Sequence, residues 1–269
     1  NPANVLIWTG VTNNPAYKTT HLVMRKVPNG SFTMCQYQKS PGTSVTLTDD
    51  YYIGVFEMTQ AQLANIKPEH GITFNHVGDT YPVDSVSWNQ VRGGKDNWPG
   101  NSNVDSNTFI DLLRTKTSDS TFDLPTEARW EYACRAGSTT KLNNGLGTSG
   151  SGASETNTKL VGRTKYSSPD SENPETVVVG SYLPNAWGLY DMHGNVCEHC
   201  LDRWVAKDDL EIDSVDPKGS SSAASNTRVL KGGAFNQGPA DQYVDQRLSK
   251  QTSQTQGAFG FRVICEAGE

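Results

Sequence analysis

Residues 188–200 read GLYDMHGNVCEHC. Asp191 and Glu198 flank a glycine turn at Gly194, and Cys197 and Cys200 stand in a CxxC spacing. Three readings fit such a stretch: a loop for a hard cation, a soft-metal or redox site, or a turn leading into a buried strand. A hard cation takes several oxygens at short range, and a glycine turn lets backbone carbonyls converge between two carboxylates. A zinc or redox site needs thiolates that converge, with His193 and His199 as possible company. On an extended strand, residues three apart point to opposite faces, so Cys197 and Cys200 read as separate buried thiols.

The composition around this stretch limits the partners. Net charge is −6 and no lysine or arginine cluster supplies the positive footprint a phosphate backbone requires, so no nucleic-acid partner is expected. No run of about 18 apolar residues offers a membrane span. Hydrophobic content is only 35%, yet six Trp, ten Tyr and eight Phe are spread over 269 residues, which predicts a loop-rich fold around an aromatic core. Abundant Ser, Thr, Asn and Gly suit an extracytoplasmic protein. The first residue, Asn1, suits a processed or trimmed chain. Cys35, Cys134, Cys197, Cys200 and Cys265 are too few for a disulfide scaffold, and their odd number leaves a thiol unpaired.

Outward from the opening stretch, the periodicity predicts short elements. Residues 22–27 and the segment after Pro28-Asn29-Gly30 read as a hairpin. A strand over 51–56 is followed by a helix capped by Thr59, with Leu63 and Ile66 inward. Ser87 caps a second helix that buries Trp88 and Val91. DLPTEARWEYACRAG, residues 123–137, is the strongest helix signal: Thr126 as N-cap, Glu127 where the dipole favours an anion, Gly137 at the end. Trp130, Ala133 and Cys134 share its buried face. Residues 93–120 and 137–174 are polar with weak periodicity and read as long surface loops interrupting one domain. The chain closes on a strand over 259–264, and Gly232-Gly233 permits a bulge or close backbone approach.

The ordered blocks VPNGSFTM, YYIGVFEMTQAQ, PVDSVSWNQV, LPTEARWEYACRAG, NAWGLYDMHGNVCEHC, RVLKGGAF and GFRV resemble the formylglycine-generating enzyme (sulfatase-modifying factor) family. The resemblance implies an α+β, elaborated C-type-lectin-like fold, loop-rich with short helices and small antiparallel sheets. It implies one domain over 1–269, with its core at 22–265. Members include copper-dependent oxidases that convert a substrate cysteine to formylglycine, ergothioneine-pathway sulfoxide synthases, and non-catalytic binding proteins such as the variable proteins of diversity-generating retroelements. The fold is therefore fixed better than the activity.

Carried over by position, the resemblance implies a structural calcium site with side-chain oxygens from Asp191 and Glu198 and carbonyls from Gly194 and Val196. Relatives commonly carry Trp where Cys197 and His199 stand, and often join the regions of Cys134 and Cys265 by a disulfide. The two copper-binding cysteines of the oxidases fall on Gln237 and Gln242, and a carboxamide cannot supply the thiolates that hold a cuprous ion. No copper is expected. Sulfoxide synthases use histidines of an accompanying helical bundle. The five histidines here, His21, His70, His76, His193 and His199, lack such a setting.

Family substrate clefts are lined by the segment after the glycine pair, here Phe235, Asn236, Gln237, Asp241, Gln242, Tyr243, Asp245 and Gln246. Amides, carboxylates and aromatics of this kind suit a peptide, protein or other polar ligand. Arg247 is expected to support the fold through buried hydrogen bonds. The expected function is a non-catalytic, calcium-stabilised ligand-binding or display protein, with a retroelement variable protein as its specific form. A formylglycine-generating-type oxidoreductase acting on a cysteine substrate is the alternative.

Overall fold

The computed structural model describes residues 10–94, 98–149, 152–170, 172–220 and 226–268. Strands β1 (Met24–Val27), β2 (Gly30–Met34), β3 (Thr43–Leu47) and β4 (Tyr51–Gly54) come first. Helices α1 (Gln60–Ile66), α2 (Trp88–Arg92), α3 (Phe109–Thr117), α4 (Glu127–Arg135) and α5 (Ala153–Thr158) follow. Strands β5 (Gly162–Arg163), β6 (His193–Gly194), β7 (Cys197–Arg203), β8 (Thr227–Lys231), β9 (Leu248–Gln251), β10 (Phe259–Gly260) and β11 (Ile264–Glu266) complete the chain.

The architecture is α+β, as expected, but its sheets are not all antiparallel. β1-β4-β11 and β2-β3 are antiparallel, β5-β6 is parallel, and in β10-β7-β8-β9 the β10 edge runs parallel to β7. The expected hairpin between 22–27 and 30–34 does not form. Asp50 accepts from the backbone N–H of Asn29 at 2.8 Å, and the chain parts there, β1 joining β4 while β2 joins β3. The expected strand at 259–264 also divides between two sheets, as β10 and β11.

Helix starts follow the predicted caps. The side chains of Thr59, Ser87 and Thr126 accept from the N3 backbone amides of α1, α2 and α4. α4 ends on Ala136 in the left-handed region, φ 45°, one residue before the expected Gly137. Trp130, Ala133 and Cys134 are buried with Tyr51, Ile53, Cys200 and Ile264 in one core, and a second gathers Trp88, Phe109 and Phe261. Truncating Trp130 costs about 3–5 kcal/mol by the usual cavity terms.

Neither long loop is structureless. Within 93–120, Thr108 caps α3, and Phe109, Ile110 and Leu113 fill the second core. Within 137–174 lie α5, β5 and a 3-10 turn over Lys165–Ser167. All five cysteines are free thiols and buried, so the disulfide implied for Cys134 and Cys265 is not formed. Cys134 lies in the first core, its thiol 3.7 Å from the Met192 carbonyl, and Cys265 in the second.

Candidate functional site

The opening stretch is a turn held from within. Asn195, in the left-handed region at φ 57°, donates its amide to Glu57 Oε2 at 2.6 Å, and Glu57 Oε1 accepts the Val196 backbone N–H at 3.0 Å. Gly194 donates to the Gly232 carbonyl at 2.8 Å and the Asn195 carbonyl accepts from Phe235 N–H at 2.9 Å, so the turn interlocks with the C-terminal segment. Only glycine fits at 194: φ is 78° and a Cβ would stand 2.0 Å from the Arg163 carbonyl oxygen. Burial, reinforced by Asp191 and Glu198 nearby, pushes the Glu57 carboxyl well above the usual range.

Glu198 is fully engaged. Arg262 Nε donates to Oε2 and Nη2 to Oε1, both at 2.6 Å, and the Trp130 indole donates to Oε2 at 2.7 Å. The remaining guanidinium donors reach the carbonyls of Gly54 and Tyr190, each at 3.0 Å. Asp191 accepts from Gly180 N–H at 2.6 Å through one oxygen, while the other is buried without a partner. Burial pushes its carboxyl up to about 6.

A calcium cage needs several oxygens free to face one point. Of the two expected carboxylates only Asp191 keeps a free oxygen, and Glu198 is neutralised by a guanidinium. Among the described residues no three His, Cys, Asp or Glu side chains gather as a metal group. As arranged, a cage of Asp191, Gly194, Val196 and Glu198 would have to share the Glu198 carboxylate with the Arg262 guanidinium.

Cys197 and Cys200 face opposite sides of β7, the first packing with Phe235 and Phe259, the second with Trp130's core. The Cys197 thiol lies 3.6 Å from Gln237 Oε1. Burial, with Glu198 and Asp241 nearby, pushes that thiol's pKa up. Gln242 donates its amide to the carbonyls of Ala234 at 3.0 Å and Arg163 at 3.3 Å.

The eight expected ligand residues divide in two. Phe235, Gln242 and Asp245 are interior, contrary to their expected place on a contact surface. Asn236 is exposed, and Gln237, Asp241, Tyr243 and Gln246 are half-buried. The interior members act as fasteners. Asp245 accepts from the backbone amides of Tyr37 at 2.6 Å and Gln38 at 2.9 Å, and Gln38 donates its side-chain amide to Gln246 at 2.6 Å. Arg247, as expected, is buried in hydrogen bonds, to Glu127 at 2.6 Å and the Val205 carbonyl at 2.8 Å.

His193 is a fastener that the sequence did not announce. Its Nε2 accepts from Asn143 N–H at 3.1 Å, so Nδ1 carries the proton and donates to the Gln242 carbonyl at 2.5 Å. Burial lowers its pKa to about 4, which keeps the ring neutral. Glu57 and Arg262 were also missed as a pair of anchors. Their signal was an acid inside the apolar run 53–58 and a base inside the closing strand, each of which needs a buried partner.

Short strands and helices interlocked around this turn and segment define an elaborated C-type-lectin-like domain. The chain belongs to the Sulfatase-modifying factor enzyme 1-like domain family, which matches residues 11–267. It is 26% identical to the formylglycine-generating enzyme of Mus musculus over 254 residues, covering 79% of this chain and 66% of that protein. It is 32% identical to the formylglycine-generating enzyme of Streptomyces coelicolor over 191 residues, 70% of this chain and 53% of that one. The chain thus spans less than two thirds of the length of these relatives. Treponema denticola variable protein 1 superposes with a TM-score of 0.70 at 22% identity, covering 91% of this chain and 95% of its own. PvdO from Pseudomonas aeruginosa superposes with a TM-score of 0.70 at 23% identity, covering 91% and 94%.

Proposed function

We propose that this protein is a non-catalytic binding module that displays Asn236, Gln237, Asp241, Tyr243 and Gln246 to a protein, peptide or other polar ligand. The observation that carries it is the division within 235–247: buried Phe235, Gln242, Val244, Asp245 and Arg247 fasten the frame, while Asn236 is exposed and Gln237, Asp241, Tyr243 and Gln246 are half-buried between them. Side chains that keep part of their surface in solvent change identity at lower cost to the fold than interior ones, which suits a surface for recognition. The likeness to a protein named as variable supports this reading, and a retroelement-diversified protein is its specific form. No helix among the described residues is long and apolar enough to cross a membrane.

The alternative, an oxidoreductase acting on a substrate cysteine, draws on family membership and on the Cys197 thiol beside Gln237. A cuprous ion there would meet one buried thiol and the Gln237 carboxamide, short of the thiolate pair that holds a soft cation. Copper analysis after loading with cuprous ion, followed by oxygen uptake on a cysteinyl peptide, separates the two. We expect no stoichiometric copper and no uptake; stoichiometric copper with turnover would establish the oxidase instead.

A further inference from the structure

Lys141 holds an unusual place on the display face. Its backbone carbonyl accepts from Val244 N–H at 3.0 Å, which ties the 137–149 segment alongside the display residues. Its ammonium stands 4.9 Å from the ring centre of Tyr243 and 5.4 Å from that of Tyr37. Both rings are held at their far ends: the Tyr37 hydroxyl donates to the Thr139 carbonyl at 2.6 Å, and the Tyr243 hydroxyl pairs with that of Ser154 at 2.9 Å. Asp245 fixes the Tyr37 backbone from below. Two rings within about 6 Å of an ammonium attract it and restrict where it can go.

The counter-charge is missing among the described residues. Glu155, beside Ser154, pairs with Lys159. Asp241 accepts from Gly238 N–H, and Asp245 from the amides of Tyr37 and Gln38. Among the described residues no carboxylate forms a salt bridge with Lys141. Because the protein's own ammonium already lies against both rings, the pair is closed to an external cation and presents a positive charge. A cation ordered before binding loses less entropy when it meets its anion.

We infer that Lys141, held between Tyr37 and Tyr243, is a recognition site for a carboxylate on the partner of the display face. The carboxylate belongs to an aspartate or glutamate side chain or to a chain terminus. This inference rests on the display reading above and extends the face beyond 235–246 to Tyr37, Thr139, Lys141 and Ser154. It also gives a chain of net charge −6 a local means of drawing in an acidic group.

The test is an NMR titration of the intact chain with three blocked tripeptides. Acetyl-Gly-Glu-Gly-amide carries a side-chain carboxylate, acetyl-Gly-Gly-Gly carries a terminal one, and acetyl-Gly-Gln-Gly-amide carries none. We expect at least one carboxylate peptide to shift the Tyr37 and Tyr243 ring signals and the Lys141 side-chain signals saturably, with weakening by salt. The Gln peptide should leave them unmoved. Lys141→Met should bind at least roughly ten-fold more weakly at unchanged thermal stability, and Lys141→Arg should retain binding. Whichever carboxylate peptide binds identifies the source. No saturable shift with either, or an equal shift with the Gln peptide or in Lys141→Met, overturns the inference. The copper and oxygen experiment does not involve Lys141, so the two proposals fail separately.

Discussion

Arg262 and Glu198 form a fully buried ion pair in which both carboxylate oxygens are met by the guanidinium fork. Removing one partner leaves an uncompensated charge in the interior, which costs about 3–5 kcal/mol. Arg262→Met is therefore expected to lower stability by that amount in denaturant unfolding, and Arg262→Lys to lose most of it, because an ammonium cannot make the bidentate contact. With Arg262 in place, the Glu198 charge is already neutralised, so adding calcium or a chelator should leave the thermal midpoint unchanged. A calcium-dependent rise would restore the cation site implied for Asp191, Gly194, Val196 and Glu198.

Asp202 is a second buried acid with a measurable signature. Burial, with the Glu127 carboxylate close by, pushes it up to about 7, and its Oδ2 accepts from Glu127 N–H at 2.7 Å. A carboxyl raised in the folded state favours folding below its unfolded value and loses that contribution as pH rises through 7. Asp202→Asn keeps an acceptor for the Glu127 amide and removes the titration. The variant should therefore be more stable than the parent at pH 8, with the gap closing toward pH 5. A gap that does not vary with pH would show that Asp202 ionises normally.

At the scale of elements, the display segment depends on its interior members. Asp245→Ala strips two backbone amides of a charged acceptor, and each such hydrogen bond contributes about 1.5–3 kcal/mol. The amide protons of Tyr37 and Gln38 should then exchange faster while those of α4 stay protected. Uniform loss of protection would mean that Asp245 supports the whole fold and not this junction. The same segment shows what a sequence can and cannot disclose. Helices α1, α2 and α4 were legible because Thr59, Ser87 and Thr126 cap them locally. α3 was hidden by the polar residues around Phe109, Ile110 and Leu113, although that spacing marks one helical face.

Pairing was less legible than element type. The Pro28-Asn29-Gly30 turn has hairpin chemistry, but the partners of β1 and β2 are decided by contacts with β4 and β3 that no local signal encodes. In the candidate site, the turn at 188–200 and the segment after Gly232-Gly233 were found, whereas the inward direction of Phe235, Gln242 and Asp245 was not. That direction is set for Phe235 by packing with Cys197, Leu230 and Phe259, for Gln242 by Arg163 and Ala234, and for Asp245 by Tyr37 and Gln38, which lie both near and far in the chain. Lys141 escaped notice because its meaning arises only from two rings brought from positions 37 and 243.

Across the whole molecule, buried ionic and amide anchors carry most of the architecture, while the display residues add only single bonds at the surface, Gln246 to Gln38 and Tyr243 to Ser154. Glu57 with Asn195, Glu198 with Arg262, and Glu127 with Arg247 each join distant parts of the chain. His193 and Asp245 dock the 137–149 and 37–38 segments against the display residues in the same way. Such a frame tolerates change where its side chains are free of these bonds, since surface substitutions usually move stability by only about 0.5 kcal/mol each. Separation of frame from face is the central claim, and one variant addresses it: simultaneous substitution of Asn236, Gln237, Asp241, Tyr243 and Gln246 by serine, compared with Gln242→Ala by thermal unfolding. The account predicts that the five-fold variant keeps its midpoint within roughly 5 °C of the parent, while the single interior change lowers it further; a five-fold variant that unfolds, beside a Gln242→Ala that does not, would contradict it.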